Sequence, residues 1–187
     1  MHAMPCRRRR GDAGRPRHFR SLPAAAALPD NAPATHRGVP GPPMTAPSDS
    51  HARVGCGAFI RRSDGRLLLV LRARAPEQGH WGLPGGKVDW METVEDAVVR
   101  ETLEETGLHI HLQRVLCVVS QFERALSPPQ HWVAPVYLAA IDGSETAVLR
   151  EPDALHDLGW FALDALPTPL TYSATLAVQQ LAHEAAA

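Results

Sequence analysis

The stretch TVEDAVVRETLEETG, residues 93–107, reads as one helix with both ends marked, and that helix constrains everything around it. Thr93 followed by Asp96 is a capping-box pattern, and Glu95 and Asp96 favour the positive end of the helix dipole. Gly107 supplies the left-handed residue that ends it. At about 100° per residue, Val94, Val98, Val99, Thr102 and Leu103 define an inward sector. Glu101, Glu104 and Glu105 fall in an arc of about 100° that borders that sector, near the C-terminal end. Like charges at this spacing cost roughly 0.2–0.5 kcal/mol each. Opposing the dipole costs roughly a further 0.3–1 kcal/mol each. Arg100 is the only cation in the segment. Two explanations fit: a solvated acidic helix end, or hard oxygen ligands gathered for a divalent cation such as Mg²⁺ or Mn²⁺.

The sequence around the helix is rich in strands. RVGCGAFIRR and RLLLVLRAR are apolar runs joined by SDG and predict a β-hairpin. APEQGHWGLPGG is a punctuated loop containing a short apolar piece, Trp81 to Leu83. HIHLQRVLCVVSQF, HWVAPVYLAAI and LGWFAL are strand-like by their β-branched and aromatic content. SATLAVQQLAHEA spaces Leu176, Gln180 and Leu181 as a terminal amphipathic helix would. The result is a mixed α/β (α+β) domain without internal repeats.

Residues 1–50 have a different texture. They hold nine of the 17 prolines and an alanine run, with almost no aliphatic periodicity, and read as a disordered Arg/Pro/Ala-rich tail before a domain at 51–187. An Arg-rich, acid-poor start is shared with organelle transit peptides, but RRRR and closely spaced prolines suit an amphipathic targeting helix poorly. An upstream start with Met44 as the working initiator is the favoured alternative, and a basic arm for nucleic acid is a weaker one. Eight arginines against three aspartates give this tail +5, which leaves −6 for the remainder of a chain whose formal total is −1. An acidic body argues against a protein that grips nucleic-acid backbone. No apolar run is long enough to span a bilayer. Cys6, Cys56 and Cys117 have no CxxC or metal-ligand spacing, which suits a reducing compartment and a cytoplasmic location.

The loop before the helix bears on the choice between a solvated end and a metal site. In GLPGGKVDWMET two glycines allow the backbone to turn sharply, and Glu92 stands where it can pair with Arg100. Gly86, Glu92, Arg100, Glu101, Glu104, Glu105, Gly107 and Leu108 lie at the fixed spacing of the 23-residue Nudix signature. The chain therefore resembles a Nudix hydrolase from about Arg53 onward, and the resemblance does not cover residues 1–50. One position departs: Thr102 stands where the family usually has an aliphatic residue.

The resemblance implies a Nudix-type α/β/α sandwich with a mixed β-sheet and a catalytic loop-helix-loop. It implies hydrolysis of a diphosphate linkage in a nucleoside diphosphate derivative, with Mg²⁺ or Mn²⁺ as cofactor. Glu101, Glu104 and Glu105 would hold the metal, with the Gly86 carbonyl as a further ligand. Glu101, or a metal-activated water that it orients, is the candidate source of the nucleophile. Arg100 would orient Glu101, and Glu92 would fix Arg100. A distal carboxylate often completes such sites, and Glu123, Glu151 and Asp157 are the candidates. Outside the signature, Arg72, Arg74 and Lys87 are candidate phosphate contacts, with ordinary solvated strand ends as the competing account. Trp81, Trp132, Phe122 and Trp160 are candidates for stacking on a base, or for packing alone. WGLPGGK resembles MutT-type enzymes, so the leading expectation is conversion of a nucleoside or deoxynucleoside triphosphate to monophosphate and pyrophosphate. ADP-ribose or another nucleotide sugar is the second expectation, and a non-catalytic nucleotide-binding or regulatory domain the third. The partner is then a small nucleotide rather than nucleic acid or membrane, and a homodimer is left open.

Overall fold

The computed structural model describes residues 51–187, so the expectations placed on residues 1–50 and Met44 lie outside the described residues. The elements in chain order are β1 (Arg53–Val54), β2 (Gly57–Ile60), β3 (Leu67–Arg72), β4 (Trp81–Gly82), α1 (Val94–Thr106), β5 (Ile110–Glu123), β6 (Gln130–Ile141), β7 (Leu155–Phe161) and α2 (Tyr172–Ala186). They form two sheets. In the first, β6 pairs antiparallel with β5, and β1 and β2 run parallel to β6. Arg53 sits opposite Trp132 and Gly57 opposite Val136, one continuous register, so β1 and β2 are a single strand interrupted at Gly55 and Cys56. The second sheet is antiparallel, with β3 between β4 and β7.

The helices cover opposite sides. Alternate residues of the central strands face α1 or α2, as the twofold period of a strand requires. Ala58, Ile60 and Leu68 join Ala97 and Val98 of α1 in one core cluster. Phe59, Leu67 and Leu69 join Tyr172, Ala174 and Ala177 of α2 in another. This is the α/β/α sandwich expected, with two sheets in its middle layer rather than one.

Two local expectations need correction. The hairpin over residues 53–74 keeps its turn, where Arg62 N–H bonds the Arg66 carbonyl at 2.9 Å, but only Arg61 and Leu67 pair across it. Beyond that bridge β2 joins β6, while β3 joins β4 and β7. All four residues of β2 and the first four of β3 are buried, so each strand needs cover on both faces, which a lone hairpin cannot give. The inward sector of α1 is also turned. Its buried residues are Ala97, Val98, Thr102, Glu105 and Thr106, whereas Val99 is exposed and Val94 and Leu103 are only half-buried. Small side chains bring the helix close to the sheet, and the larger aliphatics move to the rim. The rotation carries Glu105 inward.

Candidate active site

The site is built where the Leu83–Gly86 turn meets the last turns of α1. The turn is laced to β1 and β2 like a further strand: Ala58 N–H bonds the Pro84 carbonyl at 2.8 Å, and Cys56 N–H bonds the Gly86 carbonyl at 2.9 Å. Gly85 has φ 143°, and a Cβ there would stand 2.3 Å from the Cys56 carbonyl oxygen, so no other residue fits. A Cβ on Gly86 would stand 2.5 Å from Glu101 Oε2. The two glycines therefore let the backbone close directly onto two carboxylates. Glu101 lies against Gly86, and Glu105 Oε2 accepts from the Gly85 N–H at 2.9 Å.

Arg100 organises the outer half of the cluster. Its Nε and Nη2 fork onto Glu92 at 2.7 and 2.8 Å, and Nη1 donates to both Glu101 Oε1 and Glu104 Oε2 at 2.9 Å. Nη2 also donates to the Lys87 carbonyl at 3.1 Å, tying the loop to the helix. Hydrogen bonds from Arg100 hold the Glu92 carboxyl down at about 2. Glu101 moves the other way: burial raises its pKa and the Arg100 bond opposes the rise. Glu105 is 6% exposed, and burial pushes it up to about 8, with the Gly85 N–H opposing and the charges of Glu101 and Glu151 adding to the rise. Cys56, beside this cluster, is a buried thiol pushed up to about 11, a small core residue rather than a nucleophile.

Among the described residues, no three His, Cys, Asp or Glu side chains converge on one point. Arg100 stands between Glu101 and Glu104 instead. The donor set nevertheless suits a hard divalent cation: carboxylate oxygens at one rim, a glycine carbonyl beside them, and a buried Glu105 that no cationic side chain hydrogen-bonds among the described residues.

A cleft of about 340 Å³ opens beside the glycine turn. Arg72 and Lys87 line it, and Arg72 Nε is engaged with the Pro76 carbonyl at 2.9 Å. Arg74 lies apart, in a second depression with Arg150 and Glu151. Trp81 is not a cleft residue: its ring packs edge-on against Phe161 with centroids 4.9 Å apart. The tryptophan in the cleft wall is Trp132. Of the distal carboxylates, Glu151 alone adds its charge to both Glu101 and Glu105. Glu123 accepts from Gln121 at 2.5 Å, and Asp157 accepts from the Leu158 N–H at 2.8 Å.

The NUDIX domain family model matches residues 51–180. The chain belongs to the Nudix family. It is 37% identical over 117 residues to an ADP-ribose pyrophosphatase of Methanocaldococcus jannaschii, a match covering 63% of this chain and 66% of that protein. It is 34% identical over 127 residues to the Homo sapiens 8-oxo-dGDP phosphatase NUDT18, covering 67% of this chain and 37% of the other. The crystal structure of a MutT NUDIX hydrolase from Burkholderia pseudomallei shares 55% identity, covers 71% of this chain and 99% of its own, and superposes with a TM-score of 0.63.

Within this Nudix domain, residues of the site outside the signature escaped sequence reasoning. Val148 and Arg150 donate their N–H groups to the carbonyls of Thr106 and Glu105 at 2.8 and 3.0 Å, strapping a loop to the end of α1. The Arg150 guanidinium lies over Gly107, within 2.8 Å of where a Cβ would be. Glu77 and Gln121 line the cleft beside Trp132. These contacts join segments far apart in the chain, and no local pattern announces them.

Proposed function

We propose that the protein is a metal-dependent Nudix pyrophosphohydrolase acting on a nucleoside diphosphate derivative, with a nucleoside or deoxynucleoside triphosphate converted to monophosphate and pyrophosphate as the leading substrate. The observation that carries this is the closure of Gly85 and Gly86 onto Glu105 and Glu101 beside a cleft lined by Arg72 and Lys87. Glu101, Glu104 and Glu105, with the Gly86 carbonyl, would hold Mg²⁺ or Mn²⁺, which when bound supplies positive charge against the diphosphate oxygens.

The chain's own residues do the positioning. Arg100 occupies Glu101 Oε1, so Oε2 is the oxygen left to orient a water and take its proton. Burial raises the Glu101 pKa and makes that oxygen a better proton acceptor. The Glu92 fork fixes Arg100, so the whole relay is held by the loop before the helix. Arg72 and Lys87 attract the phosphates into the cleft. Of the three distal candidates, Glu151 is the one whose charge reaches both inner glutamates, which favours it as the distal carboxylate.

ADP-ribose is the second substrate proposed, on the strength of the Methanocaldococcus relative. A non-catalytic role fits less well, because every charged position of the signature is present. A panel of canonical and oxidised nucleoside triphosphates, ADP-ribose and dinucleoside polyphosphates, assayed for phosphate or pyrophosphate release with Mg²⁺ and Mn²⁺, tests this reading. No turnover across the panel refutes it. Metal binding has a separate readout, a rise in the thermal midpoint on adding Mg²⁺ that Glu105→Gln loses.

A further inference from the structure

One carboxylate in the cleft wall has no part in the chemistry above. Glu77 lies between β3 and β4 and lines the cleft with Thr171 and Ser173. Its φ is 58°, a left-handed conformation that side chains of its kind rarely adopt. The surroundings hold it there. Arg72 Nε bonds the carbonyl of the preceding Pro76 at 2.9 Å, and His80 N–H bonds the Glu77 carbonyl at 3.1 Å. Glu77 Oε1 accepts from the Tyr172 N–H at 2.6 Å, across 95 positions of sequence. A strained backbone and a long-range bond thus fix an acceptor in a cleft whose apolar lining is Leu83, Val119, Val136 and Trp132 and whose polar lining includes Arg72, Lys87 and Gln121. Trp132 is also fixed: its indole N–H donates to Gln130 Oε1 at 3.1 Å, and the Arg53 guanidinium lies 5.4 Å from its ring centroid. The Trp132 ring, the apolar side chains and the anchored Glu77 acceptor suit a nucleobase, while Arg72 and Lys87 of the same cleft suit its phosphates.

We propose that Glu77 is a specificity-determining residue that selects guanine, or guanine oxidised at C8, over adenine. The inference rests on the reading that this cleft holds the nucleoside of a nucleotide substrate. A carboxylate offers only acceptors. Guanine presents two adjacent donors on its pairing edge, N1–H and the N2 amino group, and one carboxylate accepts both. Adenine presents one donor, the N6 amino group, beside an acceptor, N1, which would face a carboxylate lone pair. Oxidation at C8 leaves the guanine edge unchanged. Tyr172 N–H takes one lone pair of Oε1, which leaves the pair of oxygens able to accept two more hydrogen bonds.

The competing account is that Glu77 only caps the start of α2. Glu77→Gln separates the two, because the amide oxygen still accepts from Tyr172 N–H while the edge becomes one acceptor and one donor. That pattern matches adenine, as glutamine does when it reads adenine in DNA. Binding of dGMP and dAMP to the full chain, measured by calorimetry without metal, decides it. The native protein is expected to prefer dGMP by about tenfold or more, and Glu77→Gln to lose that preference or turn it toward dAMP, with an unchanged thermal midpoint. Equal affinities in the native protein, no measurable binding of either nucleotide, or a guanine preference that survives in Glu77→Gln overturns the assignment. Should the variant not fold, the native comparison still decides. Failure of hydrolysis on every nucleotide would refute the proposed activity and leave this preference readable. Hydrolysis without base preference would refute the role of Glu77 alone.

Discussion

Replacing Glu105 with Gln is expected to make the metal-free protein more stable and inactive at once. The Glu105 carboxyl is 6% exposed, and burial moves it from an ordinary 4.5 to about 8. An acid whose pKa rises on folding costs stability wherever the unfolded chain would ionise it. The cost is absent below the unfolded value, grows by about 1.4 kcal/mol per pH unit above it, and levels off past the folded value. By about pH 7 it amounts to ~3 kcal/mol. Glutamine keeps the shape and an oxygen to accept from Gly85 N–H, but carries no charge. For a domain of this size, ~3 kcal/mol corresponds to a midpoint rise of roughly 6–12 °C. Unfolding by heat or urea, from about pH 5 to about pH 9 with a chelator present, reads the difference directly. The gap between variant and native protein should nearly close at the acid end and be widest at the alkaline end. Adding Mg²⁺ should reverse the order, because only the native protein gains binding energy from the ion. A variant no more stable than the native protein at alkaline pH, or a gap that does not change with pH, refutes the claim that Glu105 carries the buried charge. Wild-type turnover by the variant with Mg²⁺ refutes its place in the site.

Arg100→Lys should lower kcat by about 10–100-fold with little change in KM, and lower stability by about 1–2 kcal/mol, since an ammonium cannot fork onto Glu92 while reaching Glu101; steady-state kinetics and urea titration read the two effects. Thr102→Val should raise stability by about 1–2 kcal/mol at unchanged activity, because the buried Thr102 hydroxyl finds no partner among the described residues; an unchanged urea midpoint would show the hydroxyl to be satisfied. Met91→Gly should stabilise by about 0.5–1 kcal/mol, since Met91 holds φ 67° with its side chain 86% exposed and loses no packing; a lower thermal midpoint would count against it.

What the sequence made legible is what is local. Thr93 caps α1 and Gly107 ends it with φ 71°, as their positions beside the apolar pattern require. Glu92 reaches Arg100 across eight positions, short enough for the spacing itself to specify the contact. The capping box differs in one detail: Asp96 Oδ2 takes the Thr93 hydroxyl at 2.6 Å, a side-chain partner in place of the backbone N–H. Legibility fails where two segments compete for the same surface. Periodicity could not say which flank of α1 would turn inward, because Val99 and Leu103 are as apolar as the position that Thr102 takes. Nor could it choose Trp132 over Trp81, since that choice depends on which strand borders the cleft. Glu77 was invisible because its partner Tyr172 lies at the other end of the domain.

The crowding of three glutamates at the wrong end of a helix is relieved unevenly. Arg100 compensates Glu101 and Glu104 together. The strap through Val148 and Arg150 supplies N–H groups to the last carbonyls, and the Arg150 guanidinium stands over Gly107, where a cation favours the dipole. Neither device reaches the Glu105 carboxylate, whose hydrogen-bond donor is the uncharged Gly85 N–H, and the attraction of Arg72 is outweighed by burial and by the charges of Glu101 and Glu151. A fold selected for stability alone would place a neutral side chain there, since the same helix buries Ala97, Val98, Thr102 and Thr106 without charge. The uncompensated burial falls on Glu105, which packs on the Gly85 N–H as Glu101 packs on Gly86. That is where a cation and a diphosphate would both gain most, and where the domain is expected to give up stability to hold them.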